Sequence, residues 1–222
     1  MGSGLDVGRG GGRRQIGYTL GMAEPAIRHH SYQNYLRVEQ ETGIKHEYLD
    51  GYYVAMAGGT PSHAQLGGRI NHFLTAGLEG RPCRPFNSDL KIRIPESGLA
   101  TYPDASVICG GLQLDAEDRN AATNPTVLVE VLSKGTEAYD RGEKWSHYRR
   151  LPSLREYVLV SSQRIAVEVF RRGLDGEWIY VCYGPGDQVS LPSLELVLAV
   201  DAIYSGWAEL HAAETAPVAA TA

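Results

Sequence analysis

The sequence has no apolar run approaching the roughly 20 residues a membrane-spanning helix needs, which excludes an integral helical membrane protein. It has no charged-then-apolar leader, so secretion is not expected. Cysteine is scarce: Cys83, Cys109 and Cys182 are odd in number and scattered. That pattern suggests neither a disulfide framework nor a thiolate zinc site, and the three read as reduced thiols of a cytoplasmic protein. Positive charge is also in short supply. The net charge is −5, and Arg9, Arg13 and Arg14 against Asp6 give residues 1–21 a charge of +2, so the remainder stands near −7. A protein that coats nucleic acid needs clustered Lys and Arg, so that class is disfavoured, and any nucleic acid must be held by a local basic strip.

What is present is enough for one globular domain. The chain has 222 residues, 43% hydrophobic and 21% charged, the balance of an ordinary soluble protein with a full core. The glycine-rich opening to Gly21 has no apolar periodicity, and Met22 begins a more typical stretch. Residues 1–30 are therefore expected to be a disordered extension, 31–213 a single domain and 214–222 a flexible tail. Ser31 reads as the N-cap of a helix over Tyr32–Thr42 that ends at Gly43. Glu47–Met56 reads as strand and turn around Asp50-Gly51. Leu66, Ile70, Phe73 and Leu74 predict an amphipathic helix from Ser62 to about Leu78. Strands are expected at Ser88–Ile94, Ala105–Cys109 and Thr126–Leu132, and Thr136 is placed to cap a helix to about Arg150. A meander over Tyr157–Val160, Ile165–Arg171 and Trp178–Tyr183 follows, then a short helix from Asp201 to about Ala212. Helices and mixed strands in this order predict an α/β fold, a central mixed β-sheet flanked by helices.

The segment NPTVLVEVLSKGT is the most informative. Val127, Val129 and Val131 point to one strand face and Leu128, Glu130 and Leu132 to the other, so both faces are apolar and the strand is central. Glu130 is then a carboxylate where an unpaired charge is very costly, and a metal ion, Lys or Arg is expected beside it. The bland alternative is a structural ion pair. Tyr102-Pro103-Asp104 leads into ASVIC, with Pro tolerated at a strand start. Alone, Asp104 reads as a turn residue; on a strand next to that of Glu130, the two acids repel unless a divalent cation joins them. Asp140 and Lys144 are spaced i,i+4, which also suits an exposed helix ion pair worth about 0.3–0.5 kcal/mol. Glu47 and Asp89 flank strand-like segments, and His63 opens a helix where it meets phosphate or simply caps.

The run HEYLDGYYVAMAGGTPSH, followed by SDLKIRI, YPDASVIC, NPTVLVEVLS, the D-x-x-x-K of Asp140 and Lys144, and LPSLREYVLVSS, resembles a widespread bacterial family, the Uma-type restriction endonucleases of the PD-(D/E)XK nuclease superfamily. The resemblance covers roughly Ser31 to Arg171. It implies a restriction-endonuclease-like core and makes Asp104 and Glu130 the acidic metal ligands. One departure stands out: the superfamily pattern puts a Lys two residues after the second acid, and here that slot holds Leu132. Lys144 is the first choice for a migrated lysine, Lys91 the second and Lys134 the third, with Glu47 completing the acidic cluster.

Carboxylate ligands suit Mg²⁺ or Mn²⁺, and the missing Cys/His cluster disfavours zinc. The expected function is a metal-dependent endonuclease acting on nucleic acid, DNA rather than RNA. The runner-up is a degenerate nuclease fold that binds without cleaving. Another paired-carboxylate enzyme such as a glycoside hydrolase is weaker, because the 13 Tyr and 3 Trp do not cluster near Asp104 or Glu130. A third reading makes the late strands a homodimer edge, since Ala166, Glu168 and Phe170 share one face of a strictly alternating strand.

Overall fold

A computed structural model describes residues 29–217 of the chain. In chain order the elements are helix α1 (Tyr32–Thr42), strands β1 (His46–Leu49) and β2 (Tyr52–Ala55), helix α2 (Pro61–Gly77), and strands β3 (Cys83–Asn87), β4 (Lys91–Ile94), β5 (Leu99–Thr101), β6 (Ala105–Cys109), β7 (Ala121–Ala122) and β8 (Val127–Leu132). A composite helix follows, made of α3 (Glu137–Tyr139), a π-helical turn (Asp140–Lys144) and α4 (Trp145–Tyr148). Strands β9 (Glu156–Ser161), β10 (Val167–Arg172), β11 (Trp178–Tyr183), β12 (Gln188–Leu191) and β13 (Leu196–Ala199) lead to helices α5 (Val200–Ile203) and α6 (Trp207–Thr215).

Local chemistry sets the element ends. The Ser31 hydroxyl accepts from the Asn34 N–H at 3.2 Å, and Gly43 closes α1 in the left-handed region at φ 66°. Asp50 and Gly51 both have positive φ, 43° and 91°, as the tight two-residue hairpin joining β1 to β2 requires. Thr60, rather than a residue nearer Ser62, caps α2. Glu214 of α6 accepts from both the backbone N–H and the hydroxyl of Ser62, so α6 runs into the stretch expected to be a loose tail and clasps the first turn of α2. The other residues assigned to the extension and tail, 1–28 and 218–222, lie outside the described part.

The strands form a mixed six-stranded sheet in the order β11-β10-β9-β8-β6-β3, a five-stranded sheet in the order β2-β1-β5-β4-β7, and the β12–β13 hairpin. Within the first, β8 runs parallel to β9 and antiparallel to β6. Its one face carries Val127, Val129 and Val131, which pack with Leu66, Ile70 and Leu74 of α2 and with the late hairpin and helices. Its other face carries Leu128 and Leu132, which pack with Ile92, Ile94 and Leu99 of the second sheet and Tyr148 of α4. Each of these buried aliphatic side chains contributes about 1.5–3 kcal/mol. The mixed sheet between helices is the expected architecture. Among the described residues no helix is long and apolar enough to cross a membrane.

Two expectations are corrected. Strand β10, which carries Glu168 and Phe170, hydrogen-bonds to β9 on one side and β11 on the other, so it is interior and offers no edge for a dimer. Its strict alternation reflects packing against two different layers. The cysteines are not three reduced thiols: Cys83 and Cys109 face each other directly across β3 and β6 and are joined by a disulfide, while Cys182 is free and exposed. Their 26-residue separation hid the pairing because β3, interrupted by Pro85, does not look like a strand. It lies at the sheet edge, where proline is tolerated.

Candidate active site

The antiparallel register pairs Ala105 with Val129, which sets Asp104, one residue before β6 begins, beside Glu130 on β8. Asp104 Oδ2 accepts from the Val131 N–H at 2.7 Å, so the carboxylate takes over the ladder where β6 has not yet started. Glu130 is only 5% exposed, and its Oε1 accepts from the Tyr148 hydroxyl at 2.7 Å and from Lys144 Nζ at 3.2 Å.

Lys144 comes from the π-helical turn. Its ammonium lies 3.0 Å from Asp140 Oδ1, 3.2 Å from Glu130 Oε1 and 3.4 Å from Glu47 Oε2. Such turns insert an extra residue into a helix and re-aim its side chains, which is why they recur at functional sites. This one is held from outside. The Tyr157 hydroxyl donates to the Asp140 carbonyl at 3.1 Å, and Trp145 stacks on Tyr157 and on Phe170. Glu47 reaches the cluster from β1, accepting from the Thr101 hydroxyl at 2.5 Å and from the Tyr139 hydroxyl. His63, in the first turn of α2, places Nε2 3.5 Å from Asp104 Oδ2.

The electrostatics follow from burial. Burial pushes the Glu130 carboxyl up to about 8, against the pull of Lys144 and with the help of Asp104 and Asp140. Burial likewise holds Asp104 above the ordinary carboxylate value, although His63 and the Val131 N–H oppose it. Burial works against the charge on Lys144, but Glu130, Glu47 and Asp140 together outweigh it and hold the ammonium well above the usual lysine value. Three carboxyl groups, those of Glu130, Glu47 and Asp140, thus surround one ammonium, with Asp104 beside Glu130. Asp140 Oδ1, though close to Lys144, lies off the direction of a hydrogen bond and is a buried acceptor without a partner.

Of the residues singled out in the sequence, Asp104, Glu130, Lys144, Glu47, Asp140 and His63 come together. The others do not. Lys91 is buried in a separate network, 2.7 Å from both Glu39 and Asp118 and over the ring of Tyr35. Asp89 is exposed and paired with Lys45 at 2.5 Å, which holds its carboxyl below the ordinary value. Lys134 is exposed in the loop after β8. Sequence reasoning missed Tyr148, Tyr139 and Thr101. Tyr148 was findable, because Asp140, Lys144 and Tyr148 repeat every four residues on one helical face; the other two are set only by folding. A cleft of about 580 Å³ opens beside Asp104, lined among others by His63, Tyr102, Asn71 and the loop after β2.

A family model described as "Uma2: Putative restriction endonuclease" matches residues 32–201. The chain belongs to the Uma2 family. Uncharacterized protein slr1290 of Synechocystis sp. is 40% identical over 181 residues, covering 80% of this chain and 93% of its own. Uncharacterized protein sll1609 of the same organism is 30% identical over 145 residues, covering 65% and 82% respectively. Among solved structures, a "putative nuclease belonging to DUF820" from Anabaena variabilis superposes with a TM-score of 0.64 at 18% identity, over 79% of this chain and 97% of that one. That likeness shows that the two share a fold. The Uma2 match spans every member of the acidic cluster, from Glu47 to Tyr148.

Proposed function

We propose that this Uma2 chain is a metal-dependent endonuclease that hydrolyses phosphodiester bonds, with DNA as its substrate. The observation that carries the reading is the meeting of Asp104 and Glu130 at adjoining strands beside an open cleft, with Lys144 on the second acid. Asp104 Oδ1 and Glu130 Oε2 take no hydrogen bond among the described residues, which leaves one oxygen of each for another partner.

The donor set fits a hard divalent cation. Glu47, Glu130 and Asp140 share the one ammonium of Lys144, and Asp104 stands beside Glu130 on the next strand. Among the described residues no three His, Cys, Asp or Glu side chains converge as a metal cluster. Asp104 and Glu130 would be the residues to hold such an ion, and two carboxylates with solvent oxygens suit Mg²⁺ better than a site that must be closed by protein alone. Such an ion would supply a more acidic bound water and charge relief at the phosphate.

The chain supplies the rest. Lys144, kept charged by its carboxylates, orients the attacking water and faces the negative charge that builds on the phosphate. Glu47, itself tied to Thr101 and Tyr139, keeps the ammonium in place. His63 lines the cleft and is placed to donate to a phosphate oxygen.

The test is incubation of the purified protein with DNA and RNA in Mn²⁺, beside Glu130→Ala. Metal-dependent cleavage lost in a variant that still melts cooperatively supports the assignment; unchanged cleavage rejects it. A Lys144→Ala enzyme at full rate beside an inactive Lys91→Ala enzyme would reject the choice of lysine. A second reading, a module that binds nucleic acid or a protein without cleaving, draws on Lys144 itself: its ammonium already lies within 3.4 Å of three carboxylates and supplies charge a metal otherwise brings. Calorimetric titration with Mg²⁺ separates the two, since a binding-only module need not take up metal.

A further inference from the structure

The second charged network, the one that takes Lys91, is joined to the acidic cluster by two stretches of chain. Its centre is Glu39, in the last turn of α1. Glu39 Oε1 accepts from the backbone N–H of His46 at 2.7 Å, and the Tyr102 hydroxyl donates to the same carboxylate at 3.0 Å. Lys91 Nζ lies 2.7 Å from Glu39 Oε2 and 2.7 Å from Asp118 Oδ2. Both of the first two partners stand next to acids of the cluster. His46 opens β1 and is followed by Glu47, and Tyr102 comes two residues before Asp104. Tyr102 also lines both the cleft beside Asp104 and a second cavity of about 490 Å³ that Glu39, Lys91 and Asp118 line, so its ring is common to the two.

Both links are stiff. The His46 carbonyl accepts from the Tyr35 hydroxyl at 3.1 Å, so α1 holds the peptide groups on both sides of His46, the second of which enters Glu47. Between Tyr102 and Asp104 stands Pro103, buried, with a ring that fixes its φ at about −65°. Asp104 then meets the Val131 N–H at 2.7 Å. Buried ion pairs stabilise little over apolar residues of similar volume, so stability alone does not account for a lysine and two carboxylates here. What a carboxylate offers is several directional acceptor sites at once, enough to fasten distant segments to one point.

We infer that Glu39 is a positioning residue for the acidic cluster: one carboxylate on α1 fixes both the segment that delivers Glu47 and the segment that delivers Asp104, while Lys91 and Asp118 hold that carboxylate in place. Glu39 acts through His46 and Tyr102 and does not itself meet the substrate. Its consequence for catalysis rests on the nuclease reading above, whereas the positioning is measured without nucleic acid or metal.

Amide hydrogen exchange, followed by NMR on the full-length protein in EDTA, compares the Val131 N–H, which donates to Asp104, with the Val129 N–H two residues earlier on β8, where Ala105 is the partner. Tyr102→Phe keeps the ring and removes the hydroxyl, and Glu39→Gln keeps the shape and removes the charge. Each is expected to speed exchange at Val131 at least about tenfold, because the lost hydrogen bond is one to a charged group, and to leave Val129 as in the wild type. A network that only stabilises the fold speeds both amides together; that result, or no change at either, overturns the inference. Cleavage in Mn²⁺ then reads the catalytic consequence: both variants should lose kcat by about tenfold or more at unchanged KM, as misplacing a reacting group does. A raised KM at full kcat, or full activity in both variants, also overturns it. The two readings fail separately. A wild type that cleaves no nucleic acid removes the nuclease, while exchange at Val131 still decides the positioning. An active wild type whose Val131 amide is indifferent to both variants removes the positioning and leaves the nuclease.

Discussion

Replacing Lys144 with methionine is the sharpest probe of the acidic cluster, because it keeps the side chain's bulk and removes only the ammonium. Three carboxylates lose a cation at 3.0, 3.2 and 3.4 Å. Removing one partner of a buried ion pair costs about 3–5 kcal/mol, because the remaining charge is left uncompensated. Natural domains hold roughly 5–15 kcal/mol, so the variant should still fold. For a domain of this size each kcal/mol moves the melting temperature by about 2–4 °C, which predicts a loss of about 6–20 °C at pH 8. The pH dependence carries a sign. Without the ammonium, the folded variant's carboxyls rise further, so it holds protons that the unfolded chain releases. Its deficit relative to wild type should therefore shrink as pH falls from 8 toward 5. Thermal melts of both proteins across that range make the measurement. A deficit under about 1 kcal/mol at pH 8, or one that does not narrow in acid, would refute the view that Lys144 compensates the charge of these carboxylates.

Glu130→Gln should flatten part of the wild-type pH profile: with its carboxyl up at about 8 in the folded state and an ordinary value near 4.5 when unfolded, Glu130 makes the protein lose stability as pH rises through that window. Urea titrations at a series of pH values read this directly, and parallel profiles would count against it. Mg²⁺ at about 100 times its dissociation constant should add about 2.7 kcal/mol, or roughly 5–10 °C, to the wild type. Asp104→Asn should show no such shift by differential scanning fluorimetry. Glu214→Ala removes the acceptor clasping Ser62 at the start of α2 and should cost about 1 kcal/mol, with nucleic-acid binding unchanged; a stability equal to wild type would mean the clasp contributes nothing.

Much of this was legible in the chain alone, wherever local rules and burial agree. The two apolar faces of β8 announced a central strand, and a glutamate between Leu128 and Leu132 announced a buried charge in need of a partner. Ser31, Gly43 and Asp50-Gly51 set element ends by their own conformational chemistry, and Asp140 and Lys144 lie one helical turn apart however the rest folds. The short strands β3, β5, β7, β12 and β13 carry too few residues for a periodic signal, and they exist because neighbours in space complete their hydrogen bonds. The Cys83–Cys109 bond follows from one of those pairings.

Only tertiary structure could decide which lysine reaches the acids. Lys91 and Lys144 are both buried, yet packing delivers one to Glu39 and Asp118 and the other to Glu47, Glu130 and Asp140. Sequence settles what each segment prefers, because side-chain pattern and turn chemistry act over a few residues. Which charges meet depends on sheet register and on the π-helical turn that sets the direction of Lys144, and these emerge only when distant segments bury their apolar faces together.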